Sequence, residues 1–88
     1  VGFGPKDYNN PRDLVSTEYQ VTIGATVNGE RRHFPSGTTL QGVLTALELP
    51  AERVAIELDR GIVKRELWAA TPVRDGAEIE IVMFVGGG

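Results

Sequence analysis

From Tyr19 onward, Tyr19, Val21, Ile23, Ala25 and Val27 alternate with Gln20, Thr22, Gly24 and Thr26. A period of two predicts a half-buried strand, because successive side chains of an extended chain point to opposite faces. Asn28-Gly29 follows, a dipeptide that favours a type I′ turn because both central residues need positive φ. Glu30 to Phe34 is then the second strand of a hairpin, and Pro35-Ser36-Gly37 breaks the pairing. Thr38 and Gln41 stand at the spacing of a capping box, so a helix is expected to start there. Leu40, Val43, Leu44 and Leu47 fall at i, i+3, i+4 and i+7 and give that helix one apolar face. Pro50 bounds it on the far side. Gly42 weakens the helix by up to about 1 kcal/mol relative to Ala, so it is expected to serve close packing or to cost stability.

Val54, Ile56 and Leu58 alternate with Ala55 and Glu57 and predict a third strand. Asp59-Arg60-Gly61 turns the chain into a brief Ile62-Val63 segment. Lys64 to Val73 reads as irregular, with Leu67 and Trp68 covering an edge of the core. After an Arg74-Asp75-Gly76 turn, Ala77 to Val85 forms the last strand. Its alternation puts Ala77, Ile79, Ile81, Met83 and Val85 on one face, and Glu78, Glu80, Val82 and Phe84 on the other.

The order is strand, strand, helix, strand, short strand, strand. One helix covers only one face of a sheet, so the other face is solvated. A right-handed crossover after the first hairpin returns the chain across the sheet. The expected fold is α+β, a β-grasp (ubiquitin-like) roll. It has a mixed four- to five-stranded sheet, with one main helix packed on one face. Its last strand is central and parallel to the first. Residues 1–18, with Pro5, Pro11, Asn9, Asn10 and little apolar periodicity, read as a flexible leader or an expression remnant. Residues 19–88 are the folded domain. The first residue is Val rather than Met, in keeping with a start that was processed, trimmed or engineered.

The last strand runs into Gly86-Gly87-Gly88. A glycine tail is slim and conformationally free, so it can thread a narrow channel and present its last carbonyl to attack. It is equally what a frayed end looks like. Val82 and Phe84, with Val85 beside the tail, are apolar residues expected to be exposed, and adjacent exposed apolar residues suggest a partner-docking patch.

Bulk properties narrow the chemistry. An 88-residue domain has room for one core and little for a deep cleft. No apolar run approaches a membrane span, and no signal peptide is read, so cytoplasmic residence is expected. The basic residues are scattered apart from Arg31-Arg32 and Lys64-Arg65, which leaves no cationic stripe for nucleic acid. Phe3 and Trp68 read as leader and packing residues rather than a base-stacking platform. Cysteine is absent, which removes disulfides, thiolate metal sites and a cysteine nucleophile together. His33, the one histidine, lacks companions for a metal set. Asp13, Glu18 and the other carboxylates form no convincing acid–base pair, and Ser16 or Ser36 would join a triad only by arbitrary choice. The glycine-rich end is no phosphate loop, since no helix or lysine follows it. No catalytic residue is expected.

The residues Val27-Asn28-Gly29-Glu30, Val54-Ala55-Ile56-Glu57-Leu58 and Ile62-Val63-Lys64-Arg65 resemble those of the ThiS sulfur carriers of thiamine biosynthesis. So do Asp75-Gly76, Glu78-Ile79-Glu80-Ile81-Val82 and Phe84-Val85-Gly86-Gly87-Gly88. The resemblance spans about residues 19–88. Asp59 stands where the family often has Asn, and Ala77 where Asp often follows the turn glycine. The resemblance implies a carrier rather than an enzyme, with no cofactor of its own. An E1-like adenylating enzyme (ThiF-type) would use ATP and Mg²⁺ to activate the Gly88 carboxylate. A sulfur donor such as a cysteine desulfurase system would then leave a thiocarboxylate there, for use by thiazole synthase (ThiG-type). Carriers of the molybdopterin and cysteine pathways share the fold and the Gly-Gly end. A ubiquitin-like modifier or a plain interaction domain is the other class that fits.

Overall fold

The computed structural model describes residues 21–85. Residues 1–20, which include the expected leader and Tyr19, and the tail glycines therefore lie outside the described residues. Strands β1 (Thr22–Val27) and β2 (Glu30–Pro35) form the first hairpin. Its turn places Asn28 at φ 50° and Gly29 at φ 85°, the left-handed pair that a type I′ turn requires. Helix α1 (Leu40–Leu47) follows, then a 3-10 turn (Ala51–Arg53) and strand β3 (Val54–Leu58). Strand β4 (Gly61–Val63), a 3-10 segment (Arg65–Ala70) and strand β5 (Ala77–Met83) complete the domain. The five strands lie in the order β2-β1-β5-β3-β4. β5 is central, parallel to β1 and antiparallel to β3.

Alternation decides the core. Ile23, Ala25 and Val27 of β1, Val54 and Ile56 of β3, and Ala77, Ile79 and Ile81 of β5 are buried against Leu40, Val43 and Leu44 of α1. Leu47 is partly buried at the end of the same helix face. Trp68 closes one margin of this core, and its indole Nε1–H donates to the Val63 carbonyl at 2.8 Å. Phe34 and Val73 are also buried.

The helix starts one residue later than its sequence suggests. Thr39, not Thr38, is the N-cap, and its Oγ1 accepts from the Gly42 N–H at 3.1 Å. Thr38 instead donates its hydroxyl to the Pro35 carbonyl. The shift has a tertiary cause, because residues 38–40 are tied to 71–73. Leu40 N–H donates to Thr71 O, Val73 N–H donates to Thr38 O, and Thr39 bridges Pro72. Gly42 serves close packing, since a Cβ there would lie 3.0 Å from Thr38 Cγ2. At the far end Glu48 turns left-handed at φ 58°, and Leu49 N–H reaches back to Leu44 O at 2.9 Å, before Pro50 is reached.

Three further expectations need correction. Lys64 to Val73 is not wholly irregular, because Arg65–Ala70 forms a 3-10 segment that turns Trp68 inward and leaves Leu67 exposed. β5 ends at Met83 rather than Val85, and Met83 and Val85 are exposed although their parity is that of the core. Val21 is likewise exposed, just before β1. Met83 is the last residue of β5 and Val85 lies past the end of the strand, whereas Val54, which pairs with Met83 from β3, stays buried.

Short polar side chains in the turns pin β5 to its neighbours. Asp75 Oδ1 accepts from Gly24 N–H at 2.8 Å, and Gly76 N–H donates to Gly24 O at 2.7 Å. Asp59 Oδ1 accepts from Glu78 N–H at 2.9 Å, while its Oδ2 meets Arg74 Nη2 at 2.8 Å. The Glu78 hydrogen bond, followed by the Arg74 charge, holds the Asp59 carboxyl below its ordinary value.

Truncating Trp68 to Ala should destabilise the domain by about 3–5 kcal/mol, read by denaturant or thermal unfolding. Asp59 predicts an acid-side effect. Its folded pKa is lowered, so its stabilisation is complete above the unfolded value near pH 4 and is lost as pH falls through the folded value. Asp59→Asn should therefore lower stability at pH 7 and flatten its fall below about pH 4. Parallel unfolding curves for the two proteins across that range would overturn this assignment.

Candidate functional site

The open face of the sheet follows from register. Thr22, Gly24 and Thr26 of β1 alternate with its core residues and pair with Pro35, His33 and Arg31 of β2. On the other side, Glu80 pairs with Glu57 and Val82 with Ala55, while Glu57 pairs with Ile62 of β4. The Arg31 guanidinium lies over Gly24, where a Cβ would fall 2.5 Å from its Nη2. Glycine at that position lets the arginine lie flat across β1. The face thus grades from Arg31 and His33 on β2 to Glu57, Glu78 and Glu80 on the central strands. Apolar side chains stand beside the carboxylates.

Those apolar side chains belong to the end of β5. Val82 is 55% exposed, Met83 45%, Phe84 53% and Val85 88%. Val82 and Phe84 are exposed as their parity demands. Val85, also expected in a docking patch, is exposed because it lies beyond the sheet. Ile62 of β4 adds a further exposed apolar residue on the same face as Val82. The backbone under this patch is held, since Phe84 N–H donates to Arg53 O at 2.7 Å and extends the β3 ladder past Met83. Gly86, Gly87 and Gly88, the expected reacting tail, lie outside the described residues.

Among the described residues, no other arrangement competes as a chemical site. Among the described residues, no three His, Asp or Glu side chains are grouped to hold a metal ion. His33 sits exposed on the edge strand β2, and Ser36 is in the turn after it. An open groove of about 420 Å³ runs between α1 and β2, lined by Arg32, His33, Phe34 and Leu47 among others, and contains no nucleophile paired with a base. No described helix is long and apolar enough to cross a membrane.

One residue at this end of the molecule was legible only as a turn former. The Asn28 carboxamide accepts from Ile81 N–H at 2.7 Å and donates to Ile81 O at 3.1 Å. Asn-Gly signals a hairpin in any context, and nothing in the dipeptide says that the side chain reaches a third strand.

Comparison with known proteins agrees with this geometry. Thiazole synthase of Magnetococcus marinus is 39% identical over 62 residues, which is 70% of this chain and 19% of that protein. Thiazole synthase of Paramagnetospirillum magneticum matches to the same extent. The chain thus spans about a fifth of the length of these two relatives. The crystal structure of the thiamine biosynthesis protein ThiS from Geobacter metallireducens superposes with a TM-score of 0.66 at 35% identity. It covers 75% of this chain and all of that one. The ThiS family model matches residues 25–88, the β-grasp sheet and helix together with the segment beyond them, and the chain belongs to the ThiS family.

Proposed function

We propose that this chain carries sulfur for thiazole formation in thiamine biosynthesis, as a thiocarboxylate at Gly88. The observation that carries the reading is the end of β5. There a cysteine-free ThiS-family domain presents exposed Val82, Phe84 and Val85 immediately before Gly86-Gly87-Gly88. Without a thiol the chain cannot hold sulfur as a persulfide, so a carried sulfur belongs on a carboxyl carbon.

The chemistry divides between the chain and its partners. A carboxylate is a poor acyl donor until one oxygen becomes part of a good leaving group. An E1-like adenylating enzyme, using its own ATP and Mg²⁺, joins the Gly88 carboxylate to AMP and releases pyrophosphate. A hydrosulfide-level donor then attacks the acyl carbon. The C–S bond forms, the C–O bond to AMP breaks, and AMP departs with one former carboxylate oxygen while the thiol proton passes to solvent. The chain supplies the acyl group, the slim tail and the docking face. Thiazole synthase as the consumer is supported by the two relatives of that name, of which this domain matches about a fifth.

The docking face predicts a separation of stability from binding. Val82→Glu combined with Phe84→Glu should leave the melting temperature nearly unchanged, since exposed positions away from special features contribute within about 0.5 kcal/mol each. Binding to the adenylating enzyme or to thiazole synthase should weaken by tenfold or more, because truncated apolar anchors typically cost about 2 kcal/mol or more. A folded double variant that binds like the parent removes the patch from the reading.

The chemical step is tested by intact-protein mass spectrometry. The chain is incubated with the cognate adenylating enzyme, ATP, Mg²⁺ and a sulfur source. The expected product carries one sulfur in place of one oxygen, mapped to Gly88. Removing Gly88 should keep the fold and reduce transfer by roughly 100-fold or more. One residue moves the carboxylate by about 3.5 Å, and a misplacement of about 1 Å can already cost that much. Conjugation to a lysine of another protein would place the chain with the modifiers, and an unchanged mass with an active partner would leave an interaction domain.

A further inference from the structure

β1 stops pairing at Val27, opposite Ile79, yet β5 continues to Met83. Asn28 N–H still donates to Ile79 O at 2.9 Å, which puts Asn28 opposite Glu80 in the parallel ladder. The next bond of such a ladder would run from Ile81 N–H to the Asn28 carbonyl. That carbonyl is turned away, because Asn28 is the first central residue of the hairpin turn at φ 50°. Its side chain takes over. Oδ1 accepts from Ile81 N–H at 2.7 Å and Nδ2 donates to Ile81 O at 3.1 Å. One carboxamide thus replaces a peptide group and extends the β1 flank of β5 by two hydrogen bonds.

The residue type follows from two simultaneous demands. Glycine accepts the left-handed backbone but has no amide. Aspartate accepts it and offers an oxygen to Ile81 N–H, but sets a second oxygen against the Ile81 carbonyl where a donor is needed. Glutamine carries the amide one methylene further out. Asparagine meets both demands, since it tolerates the left-handed region and bears a donor beside an acceptor.

Ile81 directly precedes Val82–Val85, and on the other flank the β3 side holds Phe84 through Arg53 O. We propose that Asn28 is a positioning residue, one that fixes the exposed Val82–Val85 segment in the geometry its activating partner binds, a role that rests on the sulfur-carrier reading. It acts through Ile81 and touches no reacting atom. Its contribution is preorganisation: a segment already held in place loses less freedom when it docks.

The test uses the full chain, unmodified and as Asn28→Gly and Asn28→Asp. Glycine keeps the turn and removes the whole carboxamide, whereas aspartate keeps only the acceptor. Amide hydrogen exchange at Ile81 and backbone order parameters for Val82–Val85 report the clamp. Steady-state pyrophosphate release with the cognate adenylating enzyme reports the docking. In Asn28→Gly the Ile81 amide should exchange about tenfold faster or more, with Ile56 unaffected. KM for the carrier should rise by roughly fivefold while kcat stays within about twofold, the signature of lost ground-state binding. Asn28→Asp should fall between the glycine variant and the parent. Unchanged Ile81 exchange in Asn28→Gly overturns the clamp. Accelerated exchange with an unchanged KM reduces Asn28 to a structural residue and overturns the positioning role. A parent chain that the enzyme never adenylates overturns the sulfur-carrier reading, and the positioning role with it, a result distinct from an active parent with an indifferent variant.

Discussion

Everything in this domain depends on β5 being central in the sheet although it is the last strand of the described chain. Without it the β1–β2 hairpin and the β3–β4 hairpin share no strand pairing, and each presents an edge where the other should be. A two-stranded hairpin alone is marginal in water, so neither half is a stable sheet by itself. β5 joins them through a parallel ladder on one side and an antiparallel ladder on the other. It also brings Ala77, Ile79 and Ile81 into the core beneath α1. The parallel β1–β5 contacts link residues about fifty positions apart, and such non-local pairing is slow to form because loop entropy is lost before contacts repay it. The strand that completes the fold is therefore the one that ends at the exposed patch.

That centrality explains the polar turn residues. A strand paired on both sides still has neighbours that stop short of it, and the unpaired peptide groups left at those points need partners. Asp75 supplies an acceptor for Gly24 where β1 begins beside β5, Asp59 does so for Glu78 on the β3 side, and Asn28 does so for Ile81 where β1 turns away. Each is a short side chain in a turn, rigid enough to imitate a backbone oxygen. A longer side chain would lose more rotamer freedom in making the same bond.

The fold was legible because its core depends on periodicity, which a sequence displays directly. Ile23, Ala25 and Val27, like Ala77, Ile79 and Ile81, are buried where alternation put them, and Asn28-Gly29 turns as the dipeptide implies. What periodicity missed has tertiary causes. Thr39 displaces Thr38 as the helix cap because residues 71–73 hold the preceding segment. Met83 shares parity with Ile81 but is the last residue of its strand and is exposed there. Leu67 and Trp68 are adjacent, and only the 3-10 turn decides which one is buried. At the candidate site, the exposure of Val82 and Phe84 could be read from parity. The bonds from Asn28 to Ile81 could not, since they join positions 53 apart through a side chain that the turn alone already accounted for.

The two faces of β5 separate a buried side from a solvated one along a single strand. Odd-numbered residues from Ala77 to Ile81 are buried and bind the sheet to its helix. Even-numbered residues from Glu78 to Val82 face outward, where substitution costs the fold little. Glu57 and Glu80 stand directly opposite each other on that outer face, an arrangement of like charges that a sheet selected for stability alone would avoid. Beside them Val82, Phe84 and Ile62 expose apolar surface that no described element covers. Both features oppose the interest of the isolated domain, and both lie on the face shared with the end of the strand. Local choices that work against the fold concentrate where a protein meets something else. Beneath them the strand is held by two ladders and by the Asn28 carboxamide on Ile81.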